Sequence, residues 1–156
     1  MALPFHRALI AAALFAVAGP LCAADTSPAT PDPLTASRAR IAEKQWPAAI
    51  EELKRVNATG NADWNNLMGY SARKQATPDY AAAAKYYDEA LRIEPKHRGA
   101  LEYSGELSLI TGDLPKAEER LAALDKACRF SCEEYRDLKR SVERYKANGN
   151  KYVAAQ

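Results

Sequence analysis

The chain has 156 residues, with 22 Lys plus Arg against 20 Asp plus Glu and a net charge of +2. Setting aside the first 24 residues removes Arg7, and the balance falls to 21 − 20 = +1. A near-neutral chain with no basic block gives no basis for nucleic-acid binding.

Met1 to Ala24 reads as a targeting segment. His6 and Arg7 form a short basic start, and Ala8 to Gly19 is an apolar run too short to span a bilayer. Cys22-Ala23-Ala24 supplies small residues for cleavage before Asp25. A lipoprotein signal at Cys22 competes with this reading, but Leu21 stands where that processing wants a small residue. The expected location is periplasmic or secreted, and no other apolar stretch is suited to a membrane span. Residues 25–33 form a Pro-rich polar leader, 34–148 a single domain, and 149–156 a flexible tail.

Seven helices are expected in order. The first covers Pro33 to Lys44 behind an Asp32 cap, and the second Pro47 to Val56. Asn57 to Gly60 breaks the chain, and the third helix runs from Asn61 to Gln75. Thr77 is the expected cap of the fourth, Pro78 to Ile93, with Pro in its first turn. The fifth runs from His97 to Thr111, with Gly112 suited to a left-handed stop. The sixth covers Asp113 to Ala127. The seventh opens at Ser131, where Ser131 and Glu134 have capping-box spacing. No segment alternates in the manner of a strand, so the expected class is all-α.

The pattern repeats at a fixed period. Trp46, Tyr80 and Leu114 are spaced by 34 residues, as are Ala49, Ala83 and Ala117. The columns Leu53/Tyr87/Leu121 and Val56/Ala90/Leu124 keep the same register. Gly69 marks a close approach to the helix carrying Ala83 and Ala90, with Tyr80 and Tyr87 around it. Gly69 and Gly105 are 36 apart, which a two-residue insertion near Thr77-Pro78 accounts for. This order of Gly, aromatic, Ala and Pro at a period of 34 resembles the tetratricopeptide repeat (TPR) family over Asp32 to Leu124, as three copies. The resemblance implies a right-handed superhelix of three helix pairs. The seventh helix, matching no repeat, would cap the last pair through Tyr135, Leu138, Val142 and Tyr145.

The resemblance also implies a function. In the family, the first helix of each pair lines a concave groove that holds a partner's peptide or helix. Carried over by position, the groove takes Arg38 and Ile41 from the first repeat. It takes Asn66, Tyr70, Arg73 and Lys74 from the second, and Glu102, Glu106, Leu109 and Ile110 from the third. Such a groove would be basic beside Arg38, Arg73 and Lys74 and acidic beside Glu102 and Glu106. Chaperone-binding members grip a terminal carboxylate with Lys and Asn. Here Arg38 stands where the first repeat should have Asn and Gly99 where the third should have Lys, so that clamp is not expected.

Little else carries chemistry. Outside the targeting segment His97 is the sole histidine, and its place before a helix makes it an exposed cap residue. No phosphate-loop, dinucleotide or zinc-protease motif is present, so neither catalysis nor a cofactor is expected. Cys128 and Cys132 bracket the last helix junction. In an oxidising compartment they form a structural disulfide. The competing reading is a thiol-redox or soft-metal pair, with Cys132 activated at a helix start. The favoured function is an exported adaptor that binds protein or peptide partners.

Overall fold

The computed structural model describes residues 31–153. The expected targeting segment and most of the leader lie outside the described residues. Among the described residues there are seven helices and no strand. They are α1 (Thr35–Ala42), α2 (Trp46–Val56), α3 (Ala62–Lys74), α4 (Tyr80–Ile93), α5 (Arg98–Ile110), α6 (Leu114–Ala127) and α7 (Glu133–Ala147). Successive helices pair as α1 with α2, α3 with α4 and α5 with α6, and α7 packs on both α5 and α6. The leading helices α1, α3, α5 and α7 also touch in series.

Local chemistry sets the boundaries. Asn61, Asp79, His97 and Asp113 each cap the helix that follows by accepting from a backbone N–H three residues on, at 2.9–3.0 Å. Gly112 is left-handed at φ +85°. Asp113 N–H donates to the Ser108 carbonyl at 2.7 Å and Gly112 N–H to Leu109 at 3.3 Å, which stops α5 as expected.

Three expected caps are corrected. Asp32 lies two residues too early: its Oδ1 accepts from Leu34 N–H, and Leu34 is the residue that precedes α1. Thr77 yields to Asp79, whose own N–H is tied to the Ala72 carbonyl at 3.1 Å, so the chain enters α4 after Pro78. The Ser131–Glu134 box does not form. Cys132 occupies the cap position without a side-chain cap bond, and Glu134 reaches Arg98 instead, at 3.5 Å.

Three of the four repeat columns reach into the core; in the Trp46/Tyr80/Leu114 column no residue is fully buried, and Tyr80, expected around the Gly69 crossing, is 38% exposed. Ala49, Ala83 and Ala117 are each fully buried, and so are Leu53, Tyr87, Ala90 and Leu124. A Cβ on Gly69 would stand 2.7 Å from the Tyr87 ring and 3.1 Å from the Ala83 carbonyl, so this crossing admits only hydrogen. Gly105 forms the same kind of notch for α7: a Cβ there would lie 2.5 Å from the Leu138 side chain. Leu138, Val142 and Tyr145 thereby close one cluster with Leu101, Leu109, Ala117 and Leu124. Leu109, expected on the groove, faces this core because α7 covers it. Cys128 and Cys132 are joined as a disulfide and tie α6 to α7.

Candidate functional site

The leading helices set polar and aromatic residues side by side. Asn66, Tyr70, Arg73 and Lys74 fall at steps of four, three and one on α3, which keeps them on one side of a 3.6-residue turn. Glu102, Tyr103 and Glu106 do the same on α5, and Glu134 and Asp137 on α7. The rings of Tyr70 and Tyr103 meet at 4.6 Å. Trp46 adds an edge contact to Tyr70 at 5.7 Å, and Tyr87 lies 6.4 Å from Tyr103. The aromatics therefore run continuously from the first repeat to the third.

Arg73 sits inside this aromatic cluster. Its guanidinium is 5.6 Å from the Tyr70 ring centre and 5.4 Å from that of Tyr103. Its Nη1 donates to Glu106 Oε2 at 2.8 Å, and its side chain is only 4% exposed. The expected basic groove is thereby corrected. The Arg73 charge is spent within the chain, bridging one repeat to the next over 33 residues. Lys74 remains exposed, with Nζ 5.8 Å from the Tyr70 ring centre.

Glu102 differs from its neighbours. It is 9% exposed, and its carboxyl meets no hydrogen-bond or ion-pair partner among the described residues. Burial, then the negative charges of Glu106, Asp137 and Glu134, push its pKa up to about 8, against a smaller opposing pull from Arg73. The carboxyl is therefore mostly protonated at neutral pH.

A second polar chain lies toward the N-terminal ends of α3 and α5. Arg38 Nη2 donates to Asp63 at 3.0 Å and also faces Asp32 at 3.5 Å, away from the tyrosines. Asp63 Oδ1 is 3.0 Å from His97 Nε2, and His97 Nδ1 accepts the Ala100 N–H at 3.0 Å. Since Nδ1 accepts, Nε2 carries the proton and donates to Asp63. His97 is thus not the exposed residue expected; at 9% exposure it is a buried cap that binds two repeats, 34 residues from its partner. Asn66 is buried, its Oδ1 has no partner, and its Nδ2 would lie 3.0 Å from a Cβ on Gly99. Asn66, His97 and Glu134 line an open polar cleft of about 770 Å³, rimmed by the disulfide loop and the exposed Phe130.

The structure thus gathers Tyr70, Arg73, Lys74, Glu102 and Glu106, and it sets Arg38 apart with Asp63. Ile41 packs into the first-repeat core beside Leu34, Leu53 and Trp64. Tyr103, Asp63, Glu134, Asp137 and Tyr152 were missed. The first offered a signal in its aromatic side chain on a leading helix, although the 36-residue register of Gly69 and Gly105 pairs Tyr70 with Glu106. Tyr152 had none: the chain turns at Gly149 and Asn150, both with positive φ, and Tyr152 is only 37% exposed. Burial raises its pKa, as does the nearby charge of Glu106, while Arg73 lowers it. Among the described residues, no three His, Cys, Asp or Glu side chains are placed to hold a metal ion.

Residues 76–142 match the family model for the tetratricopeptide repeat. The match runs into α7 as far as Val142. No curated protein matches the chain.

Proposed function

Because the chain belongs, through residues 76–142, to the tetratricopeptide repeat family, we propose that it is an exported scaffold or adaptor that holds a partner protein on the concave side of its repeats. Repeats of this kind serve protein–protein interaction, and their members are typically non-catalytic. One observation carries the choice of face. Tyr70, Tyr103, Lys74, Glu102 and Glu106 stand together on α3 and α5, the leading helices that line the groove in the family. Tyrosines are enriched at the centres of binding interfaces, and charged groups such as Lys74 belong to their rims.

Export rests on the sequence of residues 1–24 and places the protein in the periplasm or outside the cell. The closed Cys128–Cys132 bond suits an oxidising compartment and supports a structural role for the pair over thiol or soft-metal chemistry. Two measurements test the reading. Intact mass of the protein from its own cells should give Asp25 as the first residue; a lipid-modified Cys22 would overturn soluble export. The tagged chain should retain a specific partner from a periplasmic extract, and Tyr70→Ala should lose it. Retention unchanged by Tyr70→Ala would move the interface off this face.

A further inference from the structure

We propose that Glu102 is the anchor for a cationic side chain, lysine or arginine, carried by the segment that docks on the face built by α3, α5 and α7. This rests on the reading of that face as the binding face, and it specifies the chemistry of the occupant.

The first argument is an imbalance of charge. Four carboxylates gather where α5 meets α7: Glu102, Glu106, Glu134 and Asp137. Three already hold a cation of the chain: Glu106 pairs with Arg73 at 2.8 Å, Glu134 with Arg98 at 3.5 Å, and Asp137 with Arg140. Glu102, more than nine-tenths buried, has none. Its oxygens are not among the fully sealed polar atoms, which include Asn66 Oδ1 and Ser71 Oγ. Ionising a buried carboxyl that has no partner costs stability, and a cation brought beside it offsets that cost.

The second argument is the chain's own example of such a complex. Arg73 already lies against the paired rings of Tyr70 and Tyr103 with its head on Glu106. Glu102 is one turn before Glu106 and adjacent to Tyr103, so an incoming Lys or Arg can lay its stem on the same aromatic surface. An acidic segment would meet repulsion here. A divalent ion is disfavoured, because no three of these carboxylates are placed to ligate one.

The expected signature is a proton. Glu102 is faced by Tyr70 and Arg73 from α3, Tyr103 and Glu106 from α5, and Glu134 and Asp137 from α7, and this environment keeps it protonated near neutrality. Docking a cation requires the carboxylate, so binding releases one proton. Affinity should then rise about tenfold per pH unit below the free pKa of about 8.

The test pans a phage-displayed random dodecapeptide library against the purified chain and measures synthetic winners by calorimetry. Enriched peptides should share Lys or Arg at one register. Alanine at that register, or Glu102→Gln in the protein, should each cost about tenfold or more, and the double change no more than either alone. The wild-type affinity should rise between pH 6 and 7 while that of Glu102→Gln stays flat. Acidic or uncharged winners, no enrichment, or dependence on Ca²⁺ removable by EDTA would overturn the proposal. Binding lost in Tyr70→Ala but unaffected by Glu102→Gln would sink this inference and leave the face intact. Binding indifferent to both would sink the two readings together.

Discussion

Truncating Arg73 to alanine should behave as a core mutation. The side chain is 4% exposed and its partner Glu106 is 21% exposed, so the pair is largely out of water. Removing one member of a buried pair costs about 3–5 kcal/mol, because the other is left uncompensated. The partial exposure of Glu106 favours the lower end. Two guanidinium–ring contacts disappear as well, at about 0.5–2 kcal/mol each when desolvated, though they overlap with the ion pair. A loss of about 3–4 kcal/mol follows, or roughly 10–20 °C in Tm for a domain of this size. Urea denaturation followed by circular dichroism measures it. Arg73→Lys should fall between, since it keeps the charge and loses the planar fork. A double-mutant cycle of Arg73→Met with Glu106→Gln should show favourable coupling. If Arg73→Ala stays within about 0.5 kcal/mol of the wild type, Arg73 is an ordinary surface cation, and the account of a charge spent internally is wrong.

Glu102 makes stability depend on pH. Between the ordinary carboxylate range and about 8, the folded protein keeps a proton that the unfolded chain has lost, so stability falls as pH rises through that window. Glu102→Gln should therefore raise Tm at pH 8 and change it little at pH 4; an equal shift at both would show that desolvation of the charge is not the cause. Gly69→Ala should lose about 1–3 kcal/mol in the same denaturation assay, since its methyl group would meet the Tyr87 ring and the Ala83 carbonyl. Cys128→Ser/Cys132→Ser should lose about 2 kcal/mol and speed amide exchange in α7, while partner binding survives. A double mutant of unchanged stability that fails in the cell would instead favour thiol chemistry.

Repeat register was the legible part of the chain. The Ala49/Ala83/Ala117 column predicted full burial because only a methyl group fits between helices at that crossing, and all three are sealed. Gly69 was legible for the same steric reason. Charges were not. Sequence marks Arg73 as basic but says nothing of a carboxylate 33 residues away, and that partner turns a groove cation into a buried brace. His97 failed alike, since its burial depends on Asp63 from the preceding repeat. The cap at Asp79 was missed because Thr77 and Asp79 both have cap chemistry, and the backbone tie to Ala72 decides between them. Leu109 was misplaced because repeat register does not say which side of α5 the capping helix takes, and α7 covers the side that carries Leu109.

Photo-crosslinking from single sites tests the central claim most directly. Benzoylphenylalanine placed at Tyr70 reports on the face of the leading helices. The same probe at Lys85 on α4 and at Glu119 on α6 reports on exposed positions of the second helices. Irradiated in the producing cells, Tyr70 should give one discrete heavier band, absent from Lys85 and Glu119 and lost when Glu102→Gln is added. Adducts from Lys85 or Glu119 with none from Tyr70 would contradict the account.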